Sequence, residues 1–161
     1  MAALSDYLES GLLQHIFRSE TFAKPINISV ALTNAVPDDS DTGTTLPEVP
    51  SGIGDTHTGY ARISLRDPLS KGDTYWDYTT TDDTEGGVSG VIGNTSSWVF
   101  DPALVDWGMV SGIAICDSGT HSTSTDGGGN LLMYAELGNP RTIYMGDSVK
   151  FDTDTLQISF T

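Results

Sequence analysis

Three histidines and one cysteine are the side chains of this sequence best suited to zinc or nucleophilic chemistry. His15 falls in a helical pattern, while His57 and His121 lie in polar stretches, and none has the His-x-x-x-His or His-x-Glu spacing of a zinc site. Cys116 ends an apolar run, in which a buried and inert thiol is expected. The Gly-x-Ser-x-Gly nucleophile elbow, the P-loop and the dinucleotide fingerprint do not occur. We therefore expect no catalytic residue, no zinc and no cofactor.

Carboxylates are abundant, and two kinds of site could use them. A glycosidase needs two acids about 5–10 Å apart, and the stretch 73–85 mixes acids with aromatic residues, with Asp77 and Glu85 as the pair to test. Calcium takes oxygen ligands from acidic loops, and Asp38 begins such a loop, but Val49 stands where an EF-hand needs a glutamate. With 22 acidic residues in the chain, such clusters arise by chance. We expect solvated turn carboxylates, no metal ion and no enzymatic activity.

The charge balance argues against nucleic acids and membranes as partners. Seven Lys and Arg residues stand against 22 Asp and Glu, for a net charge of −15, and the cations are scattered singly. Nucleic-acid binders draw much of their affinity from cations placed against phosphates, and anionic membranes attract clustered basic residues. The apolar runs are also far shorter than the roughly 20 residues of a membrane-spanning helix. We expect neither partner, and no secretory signal, since the N-terminus lacks a basic region.

One amphipathic helix is predicted near the N-terminus. Its apolar residues recur every three or four positions: Leu4, Leu8, Leu12, Leu13, Ile16 and Phe17. A single helix cannot bury such a stripe alone, so it must pack on the chain's own sheet or on another chain. We predict an N-terminal helix or arm over residues 1–23 and a β-sandwich domain over residues 24–161.

Beyond the helix, the hydrophobic period becomes two, which is typical of strands. The clearest alternation covers 26–32, and the apolar runs 109–116 and 131–137 have the composition of central strands. Long acidic loops are predicted over 34–55 and 67–90. Roughly seven or eight short strands separated by turn residues indicate an all-β fold, a two-sheet jelly-roll-like β-sandwich with one N-terminal amphipathic helix.

A series of turn and strand motifs runs through the second half of the chain. These are Asp106-Trp107-Gly108, Val110–Asp117, Gly128–Met133, Asn139-Pro140-Arg141 and Gly146–Phe151. The series resembles a family of small virion proteins of tailed bacteriophages, many of them labelled tail fibre proteins. Some members are similar to jelly-roll cement (decoration) proteins of capsids. The motifs are those of a scaffold and carry no reaction chemistry.

The resemblance implies a structural virion protein that binds the outer surface of an icosahedral phage head and bridges its capsomers. Its partners would be the major capsid protein and further copies of itself, in a homodimer or homotrimer on the capsid exterior, assembled in the host cytoplasm. We predict that the helix and an acidic loop make these contacts, through Leu8, Leu12, Ile16, Phe17, Pro37, Pro47 and Pro50.

The alternative function is that of a tail-associated protein, a tail fibre or adhesin that binds host surface glycans. Tyr75, Trp76 and Tyr78 would then stack on sugars. Copy number separates the two possibilities, because a cement protein covers the head and a tail protein does not.

Overall fold

The computed structural model of the protein describes residues 3–49, 57–66, 75–78, 91–120 and 128–159. Within those ranges the chain forms one helix and ten strands, in the order β1 (Ala3–Leu4), α1 (Asp6–Phe17), β2 (Asn27–Thr33), β3 (Ile63–Arg66), β4 (Trp76–Tyr78), β5 (Val91–Asn94), β6 (Trp98–Val99), β7 (Gly108–Cys116), β8 (Leu131–Ile143), β9 (Lys150–Phe151) and β10 (Gln157–Ser159). Every described strand pairing is antiparallel. The predicted all-β class with one N-terminal helix is confirmed. No helix in these ranges has the length and apolarity that a bilayer crossing requires.

The strands form three sheets, which share the larger of two buried hydrophobic clusters. Five strands make the largest sheet, in the order β1-β8-β7-β2-β3, and the smaller sheets have the orders β10-β5-β4 and β6-β9. One buried cluster includes Leu32 and Ile113 of the largest sheet, Trp76 of the three-stranded sheet and Trp98 of the two-stranded sheet. Trp76 and Trp98 meet edge to face, with ring centroids 4.9 Å apart. Apolar faces of separate sheets thus close on each other as in a β-sandwich, and the jelly-roll connectivity stays a prediction.

The long pairing of β7 with β8 forms the centre of the largest sheet. Between Val110 and Gly112 of β7, the partner residue on β8 shifts from Arg141 to Glu136, so that the four residues 137–140 bulge out opposite Ser111. The proline inside this bulge has no N–H, and none is needed there for the ladder. The predicted strand therefore continues through the bulge to the end of β8.

Ser5 caps α1 and ties it to the largest sheet. Its backbone N–H donates to the Leu132 carbonyl at 3.0 Å, and its hydroxyl donates to the Leu131 carbonyl. The same hydroxyl oxygen accepts from the backbone N–H of Leu8 at 3.3 Å, which is the usual role of a serine N-cap. Leu8 is buried and Leu12 packs against the core. The first turns of the helix thus help to form the core, while the boundary between arm and sandwich stays a prediction.

Candidate functional site

A buried ion pair between Arg62 and Glu48 lies at the junction of three loops. Both side chains are fully shielded from solvent, and the Glu48 carboxylate accepts from the guanidinium Nε at 3.0 Å and from Nη2 at 2.9 Å. The other Arg62 donors bind the backbone carbonyls of Gly43 at 2.7 Å, Ser118 at 3.0 Å and Gly128 at 2.8 Å. All five N–H donors of the guanidinium therefore have acceptors within the protein. This complete pairing offsets the cost of burying the charge.

The surroundings keep Arg62 charged, and they keep Tyr60 and Cys116 protonated. Burial is the largest single effect and opposes the guanidinium charge, but the hydrogen bonds to Glu48 and the electrostatic interactions with Cys116, Glu48 and Tyr60 together outweigh it and raise the pKa of Arg62. Burial and the charge of Glu48 raise the pKa of Tyr60 well above its usual value, and the phenol donates to Glu48 Oε1 at 2.5 Å while accepting from the Leu32 N–H at 3.0 Å. Burial also raises the pKa of the Cys116 thiol to about 12, against the opposing charge of Arg62. The thiol is therefore protonated and buried, as the sequence predicted.

The Arg62 cluster, which we define as Arg62, Glu48 and Tyr60, is suited to holding loops together. Its guanidinium has no donor left for a substrate, because each is bound to a protein acceptor. The loops it joins touch through two glycines: a Cβ at Gly43 or at Gly128 would overlap the backbone of the other. The cluster thereby fixes the loop before Glu48 to both ends of the β7–β8 connection.

An aromatic group extends from Tyr60 toward the start of β7. The Tyr60 ring lies parallel to Phe100, with centroids 6.0 Å apart, and meets Trp107 edge to face at 5.4 Å. The indole N–H of Trp107 donates to the Thr58 carbonyl at 2.9 Å, so this buried tryptophan has its polar atom satisfied. The segment that leads into β7 is therefore anchored to the same core as the Arg62 cluster.

Beside this anchor, large apolar side chains are exposed on two neighbouring segments. They are Leu104, Val105, Met109, Tyr144 and Met145, which we call the tip patch. Their exposed fractions run from 39% to 70%. A contiguous group of this kind is typical of a docking surface, whereas single exposed apolar residues are ordinary.

Hydrogen bonds between the two segments hold the tip patch in place. The Ala103 N–H donates to the Asp147 carbonyl at 2.8 Å, and the Gly146 N–H donates to the Ala103 carbonyl at 2.7 Å. The carboxylates of Asp106 and Asp147 accept the backbone N–H groups of two tip-patch residues at 2.9 and 3.0 Å. Gly146 has φ 94°, a conformation that glycine adopts without a Cβ clash. The exposed side chains thus project from a fixed backbone.

A second exposed apolar surface lies at the C-terminal end of α1. Leu13, Ile16 and Phe17, which we call the helix-end patch, have exposed fractions of 58–77%. Leu8 and Leu12, which lie earlier in the helix, are buried or packed against the core. The predicted apolar stripe is therefore divided, because the helix packs on the sheet with its first turns and leaves its last turns uncovered.

The predicted interface residues are distributed between core and surface. Leu8 and Pro37 are buried, Leu12 and Pro47 are half-buried, Ile16 and Phe17 are exposed, and Pro50 lies outside the described residues. A buried side chain cannot contact a partner without disturbing its own packing. The interface as a whole stays a prediction, and its two exposed members coincide with the helix-end patch.

The acidic residues considered for calcium binding or glycoside hydrolysis are turn residues or lie outside the residues that the structure describes. Asp38 accepts from the backbone N–H and the hydroxyl of Ser40 at 3.2 and 3.0 Å, as in a turn. A hydrogen bond shared with Asp39 lowers the pKa of Asp38 and raises that of Asp39. The side chain of Asp77 and the whole of Glu85 lie outside the described part. Among the residues that the structure does describe, no group of three His, Cys, Asp or Glu could hold a metal ion.

One of the aromatic residues predicted to stack on host glycans, Trp76, lies in the core instead, so the prediction is wrong for this residue. Trp76 is only 8% exposed and packs against Trp98 in the core, so its ring has no free face for a sugar. Tyr75 packs half-buried against the same core. The side chain of Tyr78 lies outside the described part of the chain.

The sequence matches one protein-family model over residues 3–159, which is nearly its whole length. That family is described as podophage GP4 fiber I protein gp80. The chain belongs to the gp80 fiber I protein family. Among proteins with curated functions, none matches it. The gp80 family is one of phage structural virion proteins, so the predicted resemblance to phage virion proteins is confirmed, whereas the capsid-cement role stays a prediction.

In this gp80-family chain, the sequence did not indicate the buried ion pair. Arg62 lies in a strand-like alternation, and Glu48 is one of 22 acidic residues. Nothing in the sequence around either residue distinguishes it from a charged residue on the protein surface. The tip patch had a weak signal, because Tyr144 and Met145 directly precede Gly146, where a polar turn would be usual.

Proposed function

We propose that this chain is a structural subunit of a podophage tail fibre that acts by docking to other proteins and performs no catalysis. The observation that carries the proposal is the family match over residues 3–159, whose description names a fiber protein. The cement role predicted from the resemblance would instead place the protein on the capsid exterior. The family description favours the fibre, and the choice between them rests on where the protein is found in the particle.

The geometry supports a docking role. Loops are fastened to the sheet by the Arg62 cluster, and two separate groups of apolar side chains project from that frame, the tip patch and the helix-end patch. Fixed backbones reduce the entropy that is lost on binding, so rigid apolar patches are effective contact surfaces. The net charge of −15 suppresses non-specific contact with other anionic macromolecules and keeps such patches selective.

We do not propose that the 75–78 segment binds host glycans. Trp76 packs in the core, where its ring contributes to folding instead of recognition. The fibre role proposed here is that of a connecting subunit, for which protein–protein contact surfaces suffice.

Quantitative mass spectrometry on intact particles and on tail-free heads tests this function. We expect the chain to be absent from tail-free heads, and its copy number in intact particles to be similar to that of the tail proteins. A copy number that follows the major capsid protein, with retention on tail-free heads, would refute the fibre role and establish the cement role.

A further inference from the structure

We infer that two copies of this chain pair through the free edge of β10, so that the three-stranded sheets of both copies join into one continuous sheet. The inference deepens the proposed function by naming a partner, a second copy of the chain, and it rests on that function only for its biological setting. Three observations carry it: the direction of the backbone groups of β10, the lack of charge on this edge, and the pattern of its side chains.

The backbone of β10 (Gln157–Ser159) has a side without a strand beside it. β10 is the last strand of the three-stranded sheet, and among the described residues it has a strand neighbour on one side only, which is β5. The Leu156 carbonyl accepts from the Asn94 N–H of β5 at 3.2 Å, so the backbone groups of Leu156 are directed at β5. In a strand, the backbone groups of successive residues point to alternate sides. Those of Gln157 and Ser159 therefore point away from β5, to the free edge.

Charge distinguishes this edge from the other sheet edges. Edge strands of native proteins commonly carry charged residues, which keep them from pairing with further chains. Of the described edge strands that are three or more residues long, β3 contains Arg66 and β4 contains Asp77, whereas β10 contains no charged residue. No charge on β10 itself therefore opposes the addition of another strand.

The residues of β10 are self-complementary in an antiparallel pair. A two-fold axis at Ile158 places Gln157 opposite the partner's Ser159 and brings the two copies of Ile158 together. Each opposed Gln157 and Ser159 can then exchange both of their backbone hydrogen bonds, because these groups point to the free edge. Gln157 and Ser159 are exposed and polar while Ile158 is half-buried, so polar side chains meet on one face and apolar ones on the other. Such an isologous contact closes as a dimer.

The inner face of β10 adds apolar contacts to the same pair. A pocket of about 90 Å³ is lined by Leu156 and Ile158 on one side and by Leu4 of β1 on another. β1 and β10 are each the last strand of their sheet, so the pocket lies between two sheet edges. Opposed residues of an antiparallel pair share a face of the sheet. The partner's Ile158 therefore lies on the pocket side of the joined sheet, where it covers apolar surface.

Sedimentation velocity of the purified full chain over a range of concentrations measures the contact. We expect an equilibrium between monomer and dimer. The equilibrium should shift toward the dimer as salt increases, because each copy has a net charge of −15 and the paired edge has none. Salt then screens the repulsion between the copies without weakening the contact itself.

Charges placed on the edge test its register. Gln157→Lys with Ser159→Lys sets like charges opposite each other on both sides of the axis and should raise the dissociation constant by about tenfold or more. Gln157→Lys with Ser159→Glu sets opposite charges against each other in the same register and should keep the dimer. Asn139→Lys with Thr142→Lys adds the same charge at exposed positions of β8 and is the control. Circular dichroism confirms that each variant is folded.

Three results would overturn the inference. The first is a wild-type chain that stays monomeric at every concentration. The second is a dimer that the double-lysine variant leaves unchanged, because the contact would then lie elsewhere. The third is a lysine–glutamate variant that dissociates as readily as the double-lysine variant, because the register would then be wrong. None of these results depends on whether the protein lies on the tail or on the head, so the proposed function and this inference can fail separately.

Discussion

Replacement of Arg62 by methionine is the most direct test of how the loops are held. The change leaves the Glu48 carboxylate buried without its cation, and removing one partner of a buried pair costs about 3–5 kcal/mol. It also leaves the carbonyls of Gly43, Ser118 and Gly128 without their donors, at about 1–3 kcal/mol for each one that water does not reach. Because domains of this size unfold at roughly 5–15 kcal/mol, we expect a loss of at least about 4 kcal/mol, a large share of the total.

Urea unfolding followed by tryptophan fluorescence measures this loss. Lys150→Met is the matched control, because Lys150 lies 2.7 Å from Asp152 in a pair whose side chains are more than half exposed, and such pairs contribute little. The double variant Arg62→Met with Glu48→Leu should be more stable than the sum of the single losses allows, since no unpaired charge remains. An Arg62→Met midpoint equal to that of Lys150→Met, or additive losses in the double variant, would refute the account of the cluster.

Three further changes test other parts of the structure. Gly43→Ala should lower the free energy of unfolding by about 1–3 kcal/mol, because the new Cβ would meet backbone atoms. Gly138→Ala, where the Cβ would enter open space, should leave it unchanged. Equal urea midpoints for the two variants would show that the loops separate freely. Tyr60→Phe removes a hydroxyl that bonds to Glu48 and should cost about 1–3 kcal/mol, and an unchanged unfolding midpoint would contradict that bond. The thiol of Cys116 should react with a disulfide reagent only in urea. The thiol has a pKa of about 12 in the folded protein and about 8.5 in the unfolded chain. The stabilisation that comes from keeping the thiol neutral in the folded protein should therefore be fully present below about pH 8.5 and be lost as the pH rises toward about 12. A wild-type midpoint that changes between pH 7 and 10 no differently from that of Cys116→Ala would contradict this.

Short-range patterns predicted the described elements well. The alternation over 26–32 became β2 (Asn27–Thr33), and the apolar run 109–116 became β7 (Gly108–Cys116). Period-two alternation reflects the two faces of a strand. In β2, however, both faces are buried, since Ser29 and Ala31 are as fully shielded as Val30 and Leu32. The helix was likewise predicted, although its periodicity did not show which part of the stripe would be covered.

The division of the helical stripe shows where periodicity stops being informative. Leu12 and Phe17 belong to the same predicted stripe, yet the first packs against the core and the second is 77% exposed. The difference comes from where α1 leaves the sheet, which depends on the cap at Ser5 and its bonds to β8. Contacts between residues more than a hundred positions apart therefore determined which part of the helix is covered.

The sequence by itself determined the class of the fold, the acidic surface and the membership of a phage virion family, because composition, alternation and turn motifs are local properties of a chain. Only the tertiary structure decided that Arg62 and Glu48 are a buried pair, that Trp76 belongs to the core, and that two apolar patches remain uncovered. The physical reason is that burial and charge pairing depend on which distant segments meet: the three carbonyls around one guanidinium come from positions 43, 118 and 128. A single charged residue in a sequence does not show whether distant segments will bury and pair it.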